Sequence, residues 1–188
     1  MKKLLVLISC ILSSYALNAQ NNESFYLYGV DFSHAKVYAA DESIEQFARA
    51  FEGINMLLAT ESDKYNFSNV IGSPITIVLD PIMRLLSSCK YTDLKTYDKV
   101  IPTINYHKCV RDYILPQREG TGIILIAQLL NKPEDCATYS LVIFDIASRQ
   151  IRFQVDVSGS AGGFGLINYW ARTIYNIVYF YRYNLRQR

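Results

Sequence analysis

The chain has 188 residues, 51% of them apolar and 13% aromatic, with 19 basic against 17 acidic side chains and a formal charge of +2. That composition excludes a disordered polyelectrolyte, and the lack of a basic excess argues against nucleic acid, which needs a positive face to displace counterions. The length fits one domain, and no internal stretch is apolar for long enough to span a bilayer.

The first twenty residues read as an address label. Met1-Lys2-Lys3 is a basic start, Leu4 to Leu12 an apolar run, and Ala16-Leu17-Asn18-Ala19 a small-x-small cleavage signal ending before Gln20. The expected arrangement is a signal peptide over 1–19, a single globular domain over 20–188, and a mature protein in the periplasm or secreted. A rival lies in Leu7-Ile8-Ser9-Cys10, which matches a lipobox and would make Cys10 a lipidated N-terminus of an outer-membrane lipoprotein. It sits early, and the apolar character continues past it. With Lys2 and Lys3 removed, the remaining basic residues balance the 17 acidic ones.

Phe25 to Phe32 is rich in β-formers and predicts the first strand. Asp41 or Ser43 then caps a helix whose apolar residues Ile44, Phe47, Ala48, Phe51, Ile54, Leu57 and Leu58 recur at helical spacing, and Ser43 with Gln46 makes a capping box. Glu61 to Asn69 reads as a loop and Pro74 to Leu79 as a short buried strand. From 81 to 118 the periodicity is weak, with short helices expected at Ile82 to Ser88 and around His107 to Tyr113. Three runs follow, Gly122 to Leu130, Tyr139 to Ile146 and Gln150 to Val157. Short turns join them, which predicts an antiparallel meander. Ile151, Phe153, Val155 and Val157 alternate with Arg152, Gln154, Asp156 and Ser158, so the last strand has one buried and one wet face. A Gly/Ser/Ala loop from Ser158 to Gly165 leads into a helix over Leu166 to Tyr183. The fold class is α/β (α+β): a mixed sheet in the order β-α-β-(α)-β-β-β-α with helices packed on it.

Cys89, Cys109 and Cys136 survive cleavage. An oxidising compartment permits one bridge, and Cys89 with Cys109 would close a loop of about twenty residues, a constraint of ~3 kcal/mol. The other reading makes all three small buried apolar residues. Their spacings do not fit zinc, so no metal and no cofactor is expected.

Three constellations could carry function. The loop Gly159 to Gly165 lies where backbone N–H groups and a helix terminus could meet an anion, but it lacks the lysine of a P-loop and the spacing of a dinucleotide fingerprint. The plainer reading has Phe164 plugging the core and the glycines supplying backbone freedom. On the following helix, Ile167, Trp170, Ala171, Ile174, Ile177, Val178 and Tyr181 form a core stripe, while Arg172, Tyr175, Tyr179 and Arg182 share a neighbouring face. Exposed tyrosines beside arginines mark protein contact surfaces and sugar-stacking platforms, and a tyrosine-rich rim also covers sheets without binding anything. Finally, Asp31, His34 and Asp41 could form an acid-base site if they converge in one cleft. His107 and Cys109, two apart, do not face each other on a helix.

Ala137 to Ile151, with Asp145-Ile146-Ala147-Ser148 at its turn, resembles the strand, "D-x-x-[ST]-x-x" turn, strand unit of a periplasmic superfamily. That group includes the N-terminal domain of the Tol system's propeller protein, the lipoprotein activators of penicillin-binding proteins and the periplasmic domain of the curli secretion channel. Gly162-Gly163-Phe164-Gly165-Leu166-Ile167-Asn168-Tyr169-Trp170-Ala171, with a leader ending in Asn-Ala-Gln, is similar to a family of uncharacterised secreted proteins from Bacteroidetes-type bacteria, which brings no catalytic residues. The superfamily resemblance implies a non-enzymatic adaptor docking other envelope proteins, here through Arg172, Tyr175, Tyr179, Arg182, Gly162, Gly163 and Phe164. A glycan or small-ligand binder using the same tyrosines is the second reading, and a hydrolase at Asp31, His34 and Asp41 the third.

Overall fold

A computed structural model describes residues 23–186, with side chains described through Tyr181. The signal-peptide, cleavage-site and Cys10 readings lie outside the described residues. Among them run β1 (Phe25–Asp31), β2 (Lys36–Tyr38), α1 (Ile44–Thr60), α2 (Ser68–Ile71), β3 (Ile75–Ile77), α3 (Asp80–Ser88), β4 (Lys95–Thr96), α4 (Tyr106–Asp112), β5 (Thr121–Asn131), β6 (Cys136–Asp145), β7 (Ile151–Ser160) and α5 (Leu166–Arg186).

All the strands belong to one sheet. β5 is its axis and is buried along its whole length, which is why it reads as an unbroken apolar run. Along one side of β5, β1 pairs with its first half and β2 with its last three residues, both in parallel. β3 then pairs in parallel with β1, and β4 in parallel with β2. On the other side of β5, β6 and then β7 pair antiparallel. β1 and β2 thus act as one interrupted strand, and the sheet has five positions, β7, β6, β5, β1/β2 and β3/β4. This corrects the expectation of a sheet organised by its C-terminal meander: the half holding β1 to β4 is parallel, and β2, α2 and β4 add elements the predicted order lacks. β3 is also half-exposed and not a buried strand.

α1 forms where the periodicity places it, with Ser43 Oγ accepting from Gln46 N–H and Gln46 Oε1 accepting from Ser43 N–H. It covers one face of the sheet together with α3 and α5, and its Phe51 ring stacks on Phe32 at 4.1 Å between centroids. Asn55, fully buried in α1, reaches the sheet. Its Oδ1 accepts from Val30 N–H at 2.7 Å and its Nδ2 donates to the Val30 carbonyl at 3.0 Å, beside the register shift between Leu27 and Val30. Gly29, with φ +97°, makes that bulge possible.

α4 and the segment after it close the opposite face. Tyr113 Oη donates to Asp31 Oδ2 at 2.6 Å, Tyr28 Oη to Gln117 Oε1 at 2.9 Å, and Gln128 Nε2 to Tyr106 Oη at 2.8 Å. On the α5 side, Tyr139 Oη and Thr173 Oγ1 lie 2.6 Å apart.

Burial pushes the Tyr113 phenol well above its usual value, with the Asp31 carboxylate acting in the same direction, and it raises Tyr139 too. A raised folded value means stability that is complete below the unfolded value of about 10 and lost as pH climbs past it. Each of these phenols is therefore expected to remove about 1.4 kcal/mol of stability per pH unit above pH ~10. Urea unfolding across the alkaline range checks this. Tyr139→Phe should show a shallower decline than the parent, and equal slopes would count against it.

Candidate functional site

The residues singled out by the sequence fall at the loop that opens α5, along α5, and at the gap between β1 and β2.

β7 extends to Ser160, so the glycine loop is short, 161–165. It is fastened at several points. Ala161 N–H donates to the Asp135 carbonyl at 2.6 Å, Gly162 N–H to the Tyr169 carbonyl at 3.0 Å, and Asn168 Nδ2 to the Phe164 carbonyl at 3.2 Å. Gly163 at φ +109° and Gly165 at φ +79° hold conformations that L side chains rarely adopt. The result overturns the core reading of Phe164: its side chain is 96% exposed. Ile167, placed in the core stripe by spacing, is 37% exposed, though its side chain lies where a Cβ on Gly53 of α1 would be. Trp170, Ala171, Ile174, Ile177 and Val178 are buried, and Tyr181 is half-buried.

Within α5, Asn168, Arg172, Tyr175 and Tyr179 follow at spacings of four, three and four, which sets them along one side of the helix, with Tyr175 half-buried against the core and Phe164 in the loop that precedes them. At 1.5 Å per residue this ridge runs about 17 Å. The Arg172 guanidinium lies over the Tyr175 ring at 4.7 Å, and Tyr175 and Tyr179 stack at 6.0 Å and 20°. Tyr175 is therefore flanked along the helix by a cation and a second ring, which leaves little open face for a sugar. The side chain of Arg182 lies outside the described residues. The root of the ridge is braced by Tyr169, whose hydroxyl donates to Asp135 Oδ1 while Lys132 Nζ sits 3.4 Å from its ring centroid.

The gap at 32–35 opens a cleft of about 390 Å³ lined by Ser33, His34, Lys36, Cys89, Tyr91 and Thr103 among others. Behind it, Cys109 Sγ lies 3.4 Å from His34 Nε2, so the histidine partner of Cys109 is 75 residues away in sequence and is not its neighbour His107. Cys89 Sγ is directed at the Ser33 carbonyl at 3.9 Å. Cys89, Cys109 and Cys136 are all free thiols, which corrects the bridge considered for Cys89 and Cys109; both instead flank the same turn.

The chemistry this cleft can perform is limited by its electrostatics. Burial, and then the Asp31 carboxylate, push the Cys109 thiol up to about 11, so at neutral pH it is a thiol and not the thiolate a nucleophile needs. The Asp31 carboxylate has other partners: its Oδ2 accepts from Tyr113 and its Oδ1 from Ser33 N–H. Asp41 is exposed and is not part of the cleft lining. Asp31, His34 and Asp41 are not assembled as an acid-base relay. Among the described residues no group of three or more His, Cys, Asp and Glu is placed to hold a metal ion.

The class these observations define is a single-domain mixed α/β protein whose most exposed aromatic among the described residues, Phe164, stands on a hydrogen-bonded loop. No protein-family model, curated protein or solved structure matches the chain. Among the described residues no helix is long and apolar enough to cross a membrane.

Proposed function

We propose that this chain is an exported binding or assembly module of the cell envelope, which engages another envelope protein through the Gly162–Phe164 loop and the α5 ridge of Arg172, Tyr175 and Tyr179. The observation that carries this reading is Phe164. A phenylalanine held in water by a fastened loop costs hydration, and a preformed aromatic anchor recovers that cost when a partner covers it. Arg and Tyr beside it are the residue types that dominate contact energies at such surfaces. Export rests on the basic-apolar-small order of residues 1–19.

The test places a photocrosslinking residue at position 164 and, as a control, at exposed Ser148 in the turn after β6. One dominant envelope protein is expected from position 164 and not from 148. Phe164→Ala is expected to weaken capture of that partner about 30-fold, the size of a 2 kcal/mol anchor, with an unchanged thermal midpoint. Equal labelling from both positions, or full capture by Phe164→Ala, would sink the assignment.

A further inference from the structure

The cleft at 32–35 shares no residue with the α5 ridge. One of its walls is the turn that follows α3. Tyr91 in that turn holds φ +51°, a left-handed conformation that a bulky aromatic seldom adopts. Its ring is buried against Phe51 at 5.6 Å between centroids, which anchors the turn in this shape. Leu94 N–H closes the turn on the Tyr91 carbonyl at 3.1 Å, whereas the N–H groups of Lys90, Tyr91, Thr92 and Asp93 donate to no other group among the described residues. All four residues line the cleft. Successive free N–H groups around a left-handed residue form a concavity that favours an anion.

The side chains agree with the backbone. Lys36 and Lys90 line the cleft, with Asp93 as its one carboxylate, and neither lysine is ion-paired among the described residues. Lys36 Nζ donates to the Asp93 carbonyl, which holds the ammonium at this turn without neutralising it. The hydroxyls of Ser33, Thr92 and Thr103 add further donors to the lining.

We propose that this cleft binds a small molecule through a phosphate group, held by the Lys90–Asp93 turn and the ammonium groups of Lys36 and Lys90. A phosphate monoester carries close to two charges at neutral pH and three strong acceptor oxygens, enough to engage both lysines and the N–H row together, whereas a carboxylate brings one charge and two oxygens. The cleft, at about 390 Å³, has the volume of a small-ligand site and exceeds what a bare phosphate needs, so the body carrying the phosphate sits in the remainder, where Pro102 and Ile104 supply apolar surface. The site stands whether or not the α5 ridge binds a partner.

Isothermal titration of the full chain with inorganic phosphate, and with acetate at matched ionic strength, tests it. Phosphate is expected to saturate with a Kd of about 1 mM or tighter, and acetate to show no saturation in the same range. Lys90→Gln should weaken phosphate about tenfold, the size of one lost hydrogen bond to a charged group, with an unchanged thermal midpoint because Lys90 is exposed. Asp93→Asn should act in the opposite direction and tighten binding, since it removes the one like charge in the lining. Lys95→Gln alters an exposed lysine outside the lining and should change nothing. Absence of saturable phosphate binding, equal binding of acetate, an affinity unmoved by Lys90→Gln, or an equal loss from Lys95→Gln would each overturn the proposal.

Discussion

Asn55→Leu is expected to lower the unfolding free energy by about 3–4 kcal/mol in urea titrations, with an unchanged dependence on denaturant. The reason is local. β1 leaves its register with β5 between Leu27 and Val30, and the Asn55 carboxamide takes both backbone groups of Val30 while also donating to the Phe51 carbonyl of its own helix at 3.1 Å. Leucine fills a similar volume but offers no polar atom, so a buried N–H and a buried C=O lose their partner together at ~1–3 kcal/mol each. Gly29→Ala should be nearly as damaging for a complementary reason. Its φ of +97° disfavours a side chain, and a Cβ there would collide with Asn55 Oδ1 and approach Leu79 Cδ2 to 2.9 Å. If Asn55→Leu costs less than ~1 kcal/mol, water must reach the bulge and the description of this core is wrong.

The same residue shows why parts of this fold are legible in the sequence and parts are not. α1 announces itself through the Ser43 and Gln46 capping box and a 3.6-residue apolar repeat, both local signals. Asn55 sits among those apolar positions yet gives no hint of burial, because its role depends on a bulge in another element. β5, β6 and β7 are visible from alternation and short turns. β2 and β4 are not, since two or three residues carry no period, and their pairing with β5 and with each other is decided by tertiary contact. Hydropathy puts Phe164 inside, because phenylalanine usually is. What puts it outside is the backbone set by Gly163 and Gly165 and by the Asn168 bond, which side-chain hydropathy does not encode. His34 and Cys109, and likewise Asp31 and Tyr113, meet across gaps of 75 and 82 residues, and nothing in their spacing foretells it.

Gly159→Ala is the substitution expected to join stability to the proposed interaction. β7 and α5 approach so closely at this point that a Cβ on residue 159 would overlap the Thr173 carbonyl oxygen, with Thr173 Cα only 3.0 Å away. Those atoms are helix backbone and cannot rotate aside, so α5 must move off the sheet. Overpacking of this kind costs about 3 kcal/mol. It would strain the Tyr139 and Thr173 hydroxyl contact directly beneath, and the Asn176 Nδ2 bond to the Ser160 carbonyl at 2.8 Å. The glycine loop is tied to both α5 and the Asp135 turn, so a displaced helix also misplaces Phe164. The expected outcome is a lowered thermal midpoint together with loss of the crosslink from position 164. Phe164→Ala, by contrast, should lose partner capture alone. A Gly159→Ala variant that is destabilised yet crosslinks normally would mean that the partner does not read the position of α5, and recognition would then have to rest on the loop by itself.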